Sequence, residues 1–164
     1  MDKVRDAAVK VLVAVHESGA YANIALTEVL KKSYYTGQER RFLTELVYGT
    51  VKAGETLDWI IRRYAKRPLV KMTPAVRAIL RLGMFQLFFL DRIPASAVCN
   101  EATELTKKYG HIGTVKFVNA VLRSAAREPE RAVPPKDDTP EALSLKLLHP
   151  IWLIRRWLHV FGRE

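Results

Sequence analysis

The chain has 164 residues, 27 Lys and Arg against 17 Asp and Glu, and a formal net charge of +10. Hydrophobic residues make up 49% and charged residues 27%, a balance that excludes intrinsic disorder as the default and allows one domain with its own core. The single cysteine, Cys99, excludes a disulfide framework and any zinc site with two or more thiolates, and it fits a reducing compartment.

Residues 1–6 are charged and lead into no apolar stretch with a small-residue cleavage site, so no signal peptide is read. The richest apolar run, 82–90, is far shorter than the roughly 20 residues of a membrane helix. A soluble, cytoplasmic protein with no membrane contact is expected. The surplus of positive charge points to a polyanion, with nucleic acid ahead of a membrane surface.

The apolar period is helical almost throughout. Val4, Ala8, Val11, Leu12 and Val15 share one face of a first helix. Asn23 is placed to cap a second helix over 23–32. Thr36 and Glu39 have capping-box spacing ahead of Phe42, Leu43, Leu46, Val47 and Val51. Leu57, Ile60, Ile61 and Tyr64 make a fourth helix that ends before Pro68. Thr73 caps the fifth and Pro74 takes its first position. That helix, 76–90, is apolar nearly all round and is expected at the centre of the core. A sixth helix runs over about 96–109 and stops at Gly110, and a seventh over about 114–127 carries Val115, Val118, Val121 and Leu122. No convincing period-2 stretch interrupts them, so the fold class is all-α.

Residues 1–72 hold thirteen basic and eight acidic side chains, 73–127 hold eight and three, and 128–164 hold six of each. All the surplus therefore precedes residue 128. Pro129, Pro134, Pro135 and Pro140 then mark a proline-rich linker over 128–141. Within the basic part, Arg62, Arg63, Lys66 and Arg67 pair at i, i+4 spacing on one ridge, with Lys71 shortly after. Lys107, Lys108, Lys116 and Arg123 group around the turn between the last two helices, and Lys3 and Arg5 open the first helix. Such groups neutralise phosphates, or else make a solvated face. Gly110-His111-Ile112-Gly113 has the form of a backbone-clamping loop, but without a sheet it reads as a helix end and a turn. Cys99 reads as a buried structural thiol, Phe117 as a core aromatic with base stacking as the other reading, and the four scattered histidines form no metal motif.

Four blocks then carry a resemblance. Phe42-Leu43-Thr44-Glu45-Leu46-Val47-Tyr48-Gly49-Thr50-Val51, Leu80-Arg81-Leu82-Gly83-Met84-Phe85-Gln86-Leu87, Asn100-Glu101-Ala102-Thr103-Glu104-Leu105 and Lys116-Phe117-Val118-Asn119-Ala120-Val121-Leu122-Arg123 resemble successive blocks of the NusB family, in family order. The resemblance implies about seven helices in two packed three-helix subdomains, followed by the linker and a short helical tail, and it implies RNA binding. The wording of the blocks, and the segment His149-Pro150-Ile151-Trp152-Leu153-Ile154-Arg155-Arg156-Trp157, resemble the N-terminal domain of the RsmB (Sun/Fmu) type of ribosomal RNA cytosine-5 methyltransferase.

That likeness implies a division of the chain, with residues 1–127 as the RNA-binding domain and 128–141 as the linker. Residues 142–164 are then the start of the passage into a methyltransferase domain lying beyond this chain. It implies as well that the chain itself carries no catalytic residue, cofactor or metal, whereas its parent uses S-adenosylmethionine. A monomer is expected, with ribosomal RNA and its own methyltransferase domain as partners. Lys3 and Arg5, by resemblance, and Lys116 and Arg123, by charge and block, are the first candidates for RNA contacts. Arg62, Arg63, Lys66 and Arg67 are the second. A stand-alone transcription antitermination factor and a protein–protein docking domain are the competing readings.

Overall fold

The computed structural model describes residues 2–134 and 139–147, the last four by backbone alone. Helices α1 (Lys3–Ser18), α2 (Ala22–Lys32), α3 (Gly37–Lys52), α4 (Gly54–Tyr64), α5 (Pro74–Phe89), α6 (Ala95–Tyr109), α7 (Ile112–Arg127) and α8 (Pro140–Leu147) follow in order. Short 3-10 turns lie at Leu69–Lys71 and Pro129–Ala132, and no strand occurs among the described residues.

Local chemistry sets most of the boundaries. The Thr36 hydroxyl accepts from the Glu39 amide at 3.1 Å while the Glu39 carboxylate accepts from the Thr36 amide at 2.9 Å, which closes the capping box of α3. Thr73 caps α5 with Pro74 just inside it, where the missing N–H costs nothing. Gly19 ends α1 at φ 68°, a left-handed conformation that suits a residue without Cβ. The expected cap of α2 is a correction: the helix begins at Ala22 with Tyr21 in the capping position, so Asn23 is already inside the first turn, and its carbonyl accepts from Thr27. Helix α7 begins at Ile112, earlier than expected, because the His111 ring nitrogen Nδ1 accepts from the Gly113 amide at 3.2 Å and serves as the cap.

Helix α5 is the hub. It packs against α1, α3, α4, α6 and α7, and Ile79, Leu80, Leu82 and Met84 are almost fully enclosed. Helices α1–α3 pack on one another, α5–α7 do the same, and α4 bridges to α5 and α7. Close approach to the hub depends on two glycines. A Cβ on Gly49 of α3 would stand 2.1 Å from the Phe85 ring, and one on Gly83 would stand 2.8 Å from Leu122. Phe85 is buried and stacks on Phe89 with centroids 5.7 Å apart, so it has little room to give way. Gly49→Ala is therefore expected to cost about 1–3 kcal/mol of overpacking despite alanine's better helix propensity, read as a lower urea midpoint.

The stretch expected as a linker is not extended at its start. Pro129–Ala132 forms its 3-10 turn against α4 and α7, and Ala132 is buried. Tyr64 donates its hydroxyl to the Glu128 carbonyl at 2.5 Å, and Arg63 donates Nε to the Arg131 carbonyl at 3.0 Å. The Arg131 guanidinium donates back to the Arg63 carbonyl and lies over the Tyr64 ring, 4.8 Å from its centroid. A proline at the first position of such a turn gives up no needed hydrogen bond. Helix α8 then packs against α4. The segment 149–157, with Trp152 and Trp157, lies outside the described residues.

Candidate nucleic-acid interface

The i, i+4 ridge is only half helical. Helix α4 ends at Tyr64, because Pro68 disfavours helical backbone ahead of it, so Lys66 and Arg67 stand in the connection to the Leu69–Lys71 turn. That turn is held from beneath by Arg77 of α5. Its guanidinium donates to the carbonyls of Leu69 at 3.1 Å and Met72 at 2.9 Å, and to Glu17 at 2.7 Å. Lys71 is thereby turned outward, exposed, with no partner among the described residues.

Facing it is the α6–α7 turn. Gly110 closes α6 in extended backbone rather than the left-handed form, and His111 caps α7 with its other nitrogen, Nε2, 3.3 Å from the Thr114 hydroxyl. Between the two turns lies an open cleft of about 420 Å³, lined by Arg67, Lys71, Lys108, His111 and Thr114 among others. No carboxylate among the described residues lines it. Behind it sits Asp6 of α1, buried, accepting from the Tyr109 hydroxyl at 2.6 Å and from the Lys108 ammonium at 2.9 Å.

The eight candidates separate by their partners. Lys116 of α7, Arg62 of α4 and Lys66 are exposed with no partner among the described residues. Arg123 is exposed and donates to the amide oxygens of Asn119 at 3.0 Å and Asn100 at 3.2 Å, neutral partners that orient the guanidinium and leave its charge uncompensated. Arg67 lies over the Phe117 ring, 4.8 Å from its centroid, so the end of the α4 ridge meets α7 beside Lys116.

Arg5, by contrast, is built into the fold. Its side chain is only 11% exposed, it donates Nε to Gln86 of α5 at 2.8 Å, it pairs with Asp2, and it covers Phe42. Arg63 is committed to the Pro129–Ala132 turn. Lys3 is half-exposed and donates to the Tyr34 carbonyl at 2.6 Å, near Glu39, against the α2–α3 connection. Lys107 is neutralised by Glu104 at 2.8 Å.

Local sequence does not reveal the cleft, because its walls come from residues some forty positions apart. Burial raises the Cys99 thiol pKa, with Arg123 pulling weakly the other way, which is the behaviour of a core residue and not a nucleophile. Among the described residues no group of three or more His, Cys, Asp and Glu could hold a metal ion, and no helix is long and apolar enough to cross a membrane.

In sequence and fold the chain is similar to known proteins. Residues 2–127 match the model of the NusB family. The chain is 37% identical over 161 residues to the probable ribosomal RNA small subunit methyltransferase B of Bacillus subtilis (strain 168), a match covering 98% of this chain and 36% of that protein. It is 35% identical over 128 residues to the transcription antitermination protein NusB of Bacillus licheniformis, covering 77% of this chain and 95% of that one. A chain of the crystal structure of antitermination factors NusB and NusE in complex with dsRNA superposes with a TM-score of 0.70 at 28% identity, over 76% of this chain and 93% of that chain.

Proposed function

Because the chain belongs to the NusB family, we propose that it is the RNA-docking domain of a small-subunit ribosomal RNA methyltransferase and that it supplies binding while the chemistry resides elsewhere in the parent. One observation carries this reading. Likeness to the methyltransferase continues through 98% of this chain yet takes in only 36% of that relative, whereas likeness to the antitermination protein of Bacillus licheniformis takes in 77% of this chain and nearly all of that relative. Methyl transfer from S-adenosylmethionine to a cytosine C5 belongs, on this proposal, to the remainder of the parent. This chain acts as a monomer against ribosomal RNA and against that remainder.

The surface suits the task. Arg62, Lys66, Arg67, Lys71, Lys116 and Arg123 lack carboxylate partners among the described residues, and each phosphate they neutralise releases counterions. Arg5 and Arg63 serve the fold, and Lys3 stands at the edge of the surface.

Titration with a small-subunit ribosomal RNA fragment at two or more salt concentrations tests the proposal. Wild type is expected to bind at low salt and to weaken steeply as salt rises. Replacing Lys66, Lys71 and Lys116 together by Gln should flatten the slope of log K against log salt by about 2, at roughly 0.7 per single-strand phosphate. Absence of binding at low salt would defeat the RNA reading in favour of a protein-docking domain.

A further inference from the structure

The least explained contact on the basic face is the one between Arg67 and Phe117. Phe117 packs against the core and is half-buried, and the Arg67 guanidinium lies over it at 4.8 Å. Arg67 is exposed, stands in the connection after α4, and has no carboxylate partner among the described residues. It also forms the shared wall of two clefts. Lys71, Lys108 and His111 line one, and Arg62, Lys66 and Val70 line the other, with no carboxylate in either among the described residues. Val70 is 82% exposed.

An exposed arginine resting on a half-buried ring is held weakly, and a phosphate entering the adjacent cleft offers it a bidentate, charge-assisted alternative. Once the guanidinium turns to that phosphate, the face it leaves is an aromatic platform of the kind on which unpaired bases stack. The ring itself is fixed by its packing on the core, so the platform is already in place. The cations on both sides extend beyond what one isolated anion needs, which favours a continuous phosphate backbone.

We propose that Arg67 and Phe117 form an exchange site for one unpaired nucleotide of RNA: the guanidinium moves from the ring to the nucleotide's phosphate in the neighbouring cleft, and the base takes its place on Phe117. The proposal rests on the RNA-docking reading and adds to it a preference for unpaired RNA.

The test uses single-stranded oligoribonucleotides of random sequence carrying 2-aminopurine, and matched strands whose central positions are abasic. With wild type, 2-aminopurine fluorescence should be quenched on binding. Phe117→Leu, which keeps bulk against the core and removes the ring, should weaken binding of the normal strand by about 5- to 50-fold. It should leave the abasic strand within about twofold and the salt slope unchanged, since no phosphate contact is lost. Arg67→Gln should lower the salt slope on both strands by about 0.7. Equal weakening of both strands by Phe117→Leu, absent quenching, or an unaltered slope in Arg67→Gln would overturn the exchange site. If Phe117→Leu fails to fold, the quenching and the Arg67→Gln slope still decide. Wild type binding neither strand at low salt would defeat the RNA reading itself. Binding both equally without quenching would defeat only this site.

Discussion

Arg81→Ala should lower the stability of the protein by about 3 kcal/mol, a fall in melting temperature of about 6–12 °C for a domain of this size. Arg81 lies on the hub helix α5, and it grips Asp58 of α4 with Nε at 2.7 Å from one carboxylate oxygen and Nη2 at 3.2 Å from the other. The side chains are 12% and 22% exposed, so solvent screens the pair little. Removing the guanidinium alone strands a carboxylate in a poorly solvated place, which is why the loss exceeds that of a surface pair. Asp58→Ala should cost a similar amount. The double variant should lose less than the two single changes together, because no uncompensated charge then remains. A site-specific readout comes from His16 of α1. Burial, and next the Arg81 charge, hold its imidazole below the ordinary histidine range, while Asp58 pulls it back up. Arg81→Ala should therefore raise the His16 titration midpoint and Asp58→Ala should lower it, as followed by NMR. Unchanged His16 titration in both variants would show that the pair does not sit beside it.

What could be read from the sequence divides along the range of the interaction concerned. The Thr36–Glu39 box, the Thr73-Pro74 start and the all-round apolar α5 depend on groups within a turn or two of one another, and they appear as expected. Asn23 failed as a cap although it is a good capping residue, since helical backbone can start a residue earlier and the side chain is then already past the position. The site was legible as composition and not as geometry. Arg62 and Lys66 could be picked out by their lack of nearby acids, but Arg5 is drawn into the fold by Gln86, 81 residues away, and Arg63, though exposed, is engaged by the Arg131 carbonyl, 68 residues away. Local spacing holds no information about such partners. Asp6 left no such signal, because it stands across α1 from the face that Val4 and Ala8 share, and its burial there is tolerated because the charge is paired. Its partners Lys108 and Tyr109 lie more than a hundred residues on.

That buried aspartate yields the second large effect. Burial on its own would raise the Asp6 pKa, but hydrogen bonds from Tyr109 and Lys108, helped by the charges of Lys10 and Lys108, outweigh it and hold the carboxyl below its ordinary value. A carboxyl depressed in the folded state stabilises that state above the unfolded value near 3.9, and the contribution disappears as pH falls through the folded value. Tyr109 has the opposite sign. Burial first, then its bond to Asp6, push the phenol well above its ordinary range, so its contribution is present below about pH 10 and is lost as pH rises through the folded value. Asp6→Asn should accordingly cost about 1.5–3 kcal/mol, the worth of a hydrogen bond to a charged group, across a plateau from about pH 5 to 9. Urea titrations should show the difference from wild type closing below about pH 4, and a difference that persists unchanged into strong acid would refute the assignment. The same substitution separates stability from binding. It frees the Lys108 ammonium, which lines the cleft, from its carboxylate partner. Asp6→Asn protein that is still folded should therefore bind RNA at least as tightly as wild type at low salt, because the loss falls on the α1–α6 contact and the positive potential of the cleft increases.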